Sequence, residues 1–442
     1  MTHQVLRSHG FLLAALCLGL LWLGGCVSTE EANQRRASAQ EARRDRARAA
    51  SLVTLDLQPA RDDVGTIQLF ANQDPVEPPL LTRRSGQQLT LTFDLLASGG
   101  RPFSVYFYHA DRNWERRLAP AQYLSGFTRD DVLDYQISRG TDVPYVHYTY
   151  TFPNETIDFV LSGNYVLRVT EQGDETAVLF EVPFFVADQA TGLSFATEPV
   201  MVPGSAYPFQ QPVAVFQPPT ALEGDVFNFT TCFVQNARYE QARCTERPLV
   251  TQQPRLRFFL QPEVAFEPQP ADFFLDLSQL RPGGDLMATD LSASPMTAEL
   301  EPDFARLGAD LGTPRLNRQT VTQGALNGGE PQLAGEYVMT RFGYVPPDER
   351  PYRGDVFLLG SFNQWRYDPA YRMDWNAEEG RYELDVLLKQ GLYEYQYATP
   401  EDTDTALRGP LPRRNDLYTA LVYYRDLQFN TDRLISVQQV VQ

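Results

Sequence analysis

Lysine is almost missing from this chain. Lys389 is the only one in 442 residues, so 37 of the 38 basic side chains are arginine. Acidic side chains number 56, which leaves a formal net charge of −18. Without a positive excess, nucleic acid is excluded as a partner, because phosphate binding needs concentrated positive charge. An acidic, lysine-poor composition keeps a protein hydrated at high ionic strength; it fits a saline or hot habitat, or a genome that favours arginine.

Histidine is scarce as well. Of four, His3 and His9 lie at the extreme N-terminus, leaving His109 and His147 for the rest of the chain. There is no Gly-x-Ser-x-Gly elbow, phosphate loop or dinucleotide fingerprint. An enzyme needs convergent acid, base or nucleophile groups, so the residues describe a non-enzymatic binding or structural protein with no catalytic residue, no cofactor and no small-molecule substrate. His109-Ala110-Asp111 places two ligand-type side chains on one strand face. A metal would need further ligands and none cluster nearby, so the expectation is a histidine hydrogen-bonded to the turn aspartate Asp111, with no metal. The four-cysteine spacing of a zinc site is absent too.

Long apolar runs are missing except at the start, where Arg7 precedes Phe11 to Trp22 and then Leu23-Gly24-Gly25-Cys26. A basic start, a short apolar core and small residues make a secretory signal peptide over residues 1–25. The run is shorter than the roughly 20 residues needed to span a bilayer. Cys26 after Leu-Gly-Gly resembles a bacterial lipobox, so Cys26 is the expected lipidation site and the protein is expected in the periplasm, anchored to the outer membrane. Residues 26–51 are rich in alanine and arginine without an apolar stripe, and read as a helical or flexible tether. Residues 1–50 hold seven arginines and four acids, a charge of +3, so the remainder carries −21.

What is plentiful is Pro 32, Phe 27 and Tyr 22, a balance suited to strands and turns. The fold class expected is all-β: tandem immunoglobulin-like sandwiches. Residues 52–188 read as a first sandwich, with strands at 67–70, 89–93, 103–108, 145–152, 164–169 and 178–182 and a helical turn within 126–132. Residues 189–345 read as a middle β-rich domain with exposed loops over 282–332, and 346–442 as a C-terminal sandwich. Cys232 and Cys244 lie symmetrically about Arg238, so a hairpin turning there would set them opposite each other as a disulfide.

Several segments carry a resemblance. His109-Ala110-Asp111-Arg112-Asn113-Trp114, Tyr123 to Phe127, Asp134 to Ser138, His147 to Asn154 and Ser162 to Leu167 resemble, in order and spacing, the first domain of type IX secretion system plug proteins. Arg353 to Phe357, Phe362 to Trp365, Leu388-Lys389-Gln390-Gly391 and Leu417 to Arg425 are similar to the end of that family. Where the family usually has cysteine, this chain has Ala110, which removes thiol chemistry there. The resemblance implies a periplasmic protein that docks on the inner mouth of the outer-membrane β-barrel translocon and closes it at rest. Asp111, Arg112, Asn113, Trp114, Tyr123 and Phe127 combine aromatic and charged groups and are the candidate partner interface. A different reading takes the segment around Trp365, which resembles glycogen-binding modules, as a carbohydrate platform in a periplasmic lipoprotein. There the usual lysine is replaced by Gln396.

Overall fold

The computed structural model describes residues 55–442 apart from Thr191, Ala206, 253–254, 306–315, 401–406 and 408–415. The signal peptide, Cys26 and the tether lie outside the described residues. Among the described residues no helix is long and apolar enough to cross a membrane.

Eleven strands form the first sandwich: β1 (Val64–Ala71), β2 (Leu80–Thr82), β3 (Leu89–Leu95), β4 (Phe103–Ala110), β5 (Leu124–Gly126), β6 (Arg129–Val132), β7 (Tyr135–Ile137), β8 (Val146–Phe152), β9 (Ile157–Phe159), β10 (Gly163–Glu171) and β11 (Val178–Ala187). One sheet runs β1-β3-β8-β7, the other β2-β11-β10-β4-β6, and β5 pairs with β9 alone. Alternation explains the layering. From Val105 on, Val105 and Phe107 of β4 are buried while Tyr106 and Tyr108 on the opposite face are half-buried, as a pleat with one core-facing side gives. Phe93 stacks on Tyr148 at 4.9 Å and meets Phe180 edge-on at 5.1 Å, so both sheets interlock through aromatic rings. Emptying such a site, as in Phe93→Ala, costs about 3–5 kcal/mol.

The helical turn expected within 126–132 is a strand instead. Val132 is buried opposite Phe103, so the segment extends along β4 as β6. Asp130 is held by Tyr150, Asn154 and Thr156.

Strand pairing crosses the boundary drawn at 345. The middle sandwich has one sheet of Leu193–Val200, Phe209–Phe216, Arg255–Phe259 and Leu249–Gln252. Its second sheet places Arg243–Thr245 and Phe229–Gln235 beside Leu417–Asp426 and Thr431–Val441 from the chain's end. The third body pairs Tyr337–Val345 with Arg381–Lys389, and Phe273–Asp276 with Gly391–Ala398. Burial gives the reason: Leu417–Asp426 is covered on both faces, with Leu421 and Tyr423 in one apolar cluster and Tyr418, Ala420, Val422 and Tyr424 in another. A doubly covered strand needs a central position, which the middle sandwich offers. The 282–332 stretch, expected as loops, contributes Leu286–Asp290, Thr297–Leu300, Asp303–Phe304 and Val321–Thr322. Cys232 and Cys244 sit in register on adjacent strands and are bridged.

Candidate functional site

The loop singled out as an interface is an internal joint. Asp111 closes its own turn, accepting from the Asn113 and Glu115 amides at 2.9 and 3.0 Å. This carries Trp114, in a left-handed conformation at φ 64°, against Phe185 at 5.6 Å. There it joins an apolar cluster with Cys232, Tyr423 and Leu434 of the middle sandwich. Arg112 reaches across the same joint to Asp432 at 3.0 Å and to Glu246. Burial pushes the Asp432 carboxyl up, although Arg112 and Arg425 beside it favour the charged form. Tyr123 is buried, donating to the Phe107 carbonyl at 2.8 Å. Asp111, Trp114 and Tyr123 therefore cannot meet a partner while the fold is intact; of the six residues, Asn113 is exposed and Phe127 stands out at 66% exposure.

The expected hydrogen bond between His109 and Asp111 is not formed, because the Asp111 carboxylate faces its own turn. His109 Nε2 donates to the Ser162 carbonyl at 3.1 Å and burial lowers its pKa to about 4. Gly163 permits the approach, since a Cβ there would lie 2.3 Å from Nε2. The histidine–aspartate pair of this protein is instead His147 Nδ1 and Asp94 Oδ1, 2.7 Å apart.

That pair belongs to a buried polar network joining the first sandwich to the third body, and at its centre is the single lysine. Lys389 Nζ donates to Asp94 Oδ2 at 2.7 Å and to the Gln332 carbonyl at 2.6 Å. Tyr337 donates to the same Asp94 oxygen at 2.9 Å, and Thr66 Oγ1 lies 2.6 Å from its hydroxyl. The ammonium also sits 4.0 Å from the centre of the Tyr145 ring. Desolvation pulls the Lys389 pKa down, and Asp94 opposes that pull. Gly65 allows the close approach of β1, because a Cβ would lie 2.7 Å from the Tyr337 hydroxyl. Asp94 thus gathers bonds from three side chains at 0% exposure, which fits the rule that buried charge is tolerated only when paired and hydrogen-bonded. In the sequence Lys389 stands out by its isolation in an otherwise lysine-free chain and by its place in the family-like run Leu388-Lys389-Gln390-Gly391, and neither signal places it in a joint.

Trp365 lies where the three bodies meet. Its indole N–H donates to the Arg318 carbonyl at 3.1 Å, and the Arg318 guanidinium covers the ring at 4.3 Å. Neighbouring Gln364 donates to the Glu181 carbonyl at 2.9 Å. Gln396, at the lysine position of glycogen-binding modules, accepts from Arg238 at 3.4 Å. A sugar platform needs an open aromatic face, and here one face is occupied by arginine. The indole also lines a cavity of about 150 Å³ with Leu57, Leu69, Pro79, Val182 and Tyr239.

The arrangement defines a class: a β-sandwich protein whose first domain is braced on two sides by the rest of its own chain. Residues 64–188, the first sandwich, match the family model described as type 9 secretion system plug protein 1st domain, which bears out the first-domain resemblance read from the sequence and links the chain to type IX secretion. A crystal structure of a hypothetical protein from Parabacteroides merdae superposes with a TM-score of 0.78 at 21% identity, covering 88% of this chain and 100% of that one. At that identity the likeness concerns the fold, and its coverage extends it well beyond the first sandwich. No curated protein matches this chain.

Proposed function

We propose that this protein is a non-enzymatic plug or gating subunit of type IX secretion. It docks from the periplasm on the inner mouth of the outer-membrane β-barrel translocon and closes it at rest. The match of residues 64–188 to the plug first domain carries this reading. The braced architecture supports it physically: a plug must resist displacement as one body, and the first sandwich is tied to the middle one through Trp114 and Arg112 and to the third through Lys389 and Asp94. Cys26 holds it by lipid near the pore, which raises its effective concentration there. Gentle detergent extraction of outer membranes followed by affinity capture of the tagged full-length protein tests the reading. Recovery of the barrel translocon is expected, and its repeated absence refutes the proposal. Mass spectrometry of the mature N-terminus tests the anchor, which an unmodified Cys26 would rule out.

A further inference from the structure

The first sandwich has two lateral sides, and the chain treats them differently. On one, β1 is covered by the third body: Thr66 meets Tyr337 and Gln68 donates to the Thr320 carbonyl at 2.6 Å. On the other, β6 ends one sheet and β7 ends the other, joined only by Leu133 and Asp134. The third body reaches only the far end of this side, where the Arg139 N–H donates to the Leu333 carbonyl at 2.8 Å; from Arg129 to Ile137 the two strands make one seam that is open among the described residues.

The hydrogen-bond register shows what this seam presents. The Asp134 carbonyl accepts from Thr149 at 3.1 Å and Ser138 donates to the Tyr145 carbonyl at 2.9 Å. Residues 134, 136 and 138 thus face β8, and by antiparallel alternation the N–H and C=O groups of Tyr135 and Ile137 point away from the sheet. All three residues of β7 are exposed. Natural edges are blunted by short strands, lysine, proline or inward charge; β7 is short, at three residues, but no lysine, proline or charge stands in Tyr135-Gln136-Ile137. Phe127, Leu133, Tyr135 and Ile137 fall within eleven residues, at 66, 64, 39 and 52% exposure.

We propose that the β6–β7 seam is the docking edge of the plug, taking up an extended segment of the translocon as an added strand. This rests on the plug reading above. Leu133, Tyr135 and Ile137, at alternate positions along the seam, expose roughly 300 Å², well under the ~800 Å² per partner that a stable interface buries. A three-residue edge with that area is too small to hold a second copy of this chain, whose −21 over residues 51–442 also repels itself. It does suit strand addition, in which main-chain bonds give affinity and alternate side chains give specificity. Arg129 is neutralised by Asp131 at 3.6 Å, whereas Arg139 at the end of the seam donates only to the uncharged Gln136 and keeps its charge. Asp134, Glu155 and Asp158 on and beside the seam are exposed. The occupant is therefore an extended segment, apolar at alternate positions, with a basic flank.

The test compares full-length wild type with Leu133→Lys/Ile137→Lys and with Phe227→Ser, a control at 82% exposure on the middle sandwich. Each is used to capture the barrel from detergent-solubilised outer membranes of a strain carrying type IX secretion. At least a tenfold loss of barrel is expected for the double lysine variant, with unchanged melting temperature, and no loss for Phe227→Ser. Equal capture by wild type and the double variant overturns the seam while leaving the plug reading intact. No capture by wild type overturns both. Should the double variant melt lower, amide hydrogen exchange of wild type decides: slower exchange at Tyr135 and Ile137 in the complex supports the seam, and unchanged exchange refutes it.

Discussion

Replacing Lys389 by Met removes the ammonium but keeps most of the stem volume. In wild type Nζ and the Asp94 carboxylate are 2.7 Å apart with side chains 1% and 0% exposed. Taking one partner from such a pair leaves an uncompensated buried charge, at a cost of 3–5 kcal/mol. Asp94 keeps its bonds from His147 and Tyr337, so the lower end, about 3 kcal/mol, is expected. At about 2–4 °C per kcal/mol for bodies of this size, the melting temperature falls by roughly 6–12 °C. Adding Asp94→Asn to Lys389→Met removes the stranded charge, and because a buried ion pair exchanged for neutral groups is often close to energetically neutral, the double variant recovers much of the loss. Differential scanning calorimetry at neutral pH reads all three proteins. A Lys389→Met variant melting within 1 °C of wild type, or a double variant less stable than the sum of the two single changes, would refute the reasoning.

Arg112→Met removes the bond to Asp432, a carboxylate 2% exposed, and is expected to lower stability by about 2–3 kcal/mol at pH 7. Burial already raises the Asp432 pKa, so in acid the neutral carboxyl no longer needs its partner and the gap between variant and wild type narrows. Equal gaps by thermal melting at pH 7 and in acid would count against this. His109 has its pKa lowered to about 4 by burial, below the ordinary 6.5. The unfolded chain then binds the extra proton more readily, so about 3 kcal/mol of stability is present above pH 6.5 and lost as pH falls toward 4. The imidazole NMR signal should titrate near pH 4, and a midpoint between 6 and 7 would be inconsistent with its burial. Cys232→Ala/Cys244→Ala opens a loop of 12-residue separation, with an expected loss of about 2–3 kcal/mol. The same loss should appear in wild type treated with reductant, and equal melting with and without reductant would show that the bridge contributes nothing.

Legibility followed the range of the forces involved. The six strands expected in the first sandwich fall in β1, β3, β4, β8, β10 and β11, because period-two burial is written locally in runs such as Val105 to Tyr108. The disulfide was readable for the same reason, from the symmetry of two cysteines about a turn. The destination of Leu417–Asp426 was not, since its alternation specifies two buried faces without saying which sheet buries them. Nor was the fate of the His109 to Trp114 segment. Aromatic and charged residues crowd both partner interfaces and internal joints, and only the fold shows that Trp114 and Arg112 spend themselves on Phe185 and Asp432. Phe127 alone of that set combines an apolar side chain with wide exposure.

The same distinction explains why one lysine persists in a chain that otherwise uses arginine. Arginine serves well where a planar fork meets a carboxylate, as Arg116 does at Glu181 with Arg168 adding one bond from Nε. The pocket at Lys389 is different: its charge is received by one carboxylate oxygen and one backbone carbonyl, over the face of Tyr145. That geometry calls for a compact point charge on a slim stem, and Gly335 confirms how little room there is, since a Cβ there would lie 3.3 Å from the lysine Cε. A guanidinium would bring five fixed donors to a site with two acceptors positioned for a tetrahedral ammonium. The packing between the first sandwich and the third body accounts for the exception. The residue that looked like a remnant of composition is thus the one basic side chain whose chemical identity the joint specifies.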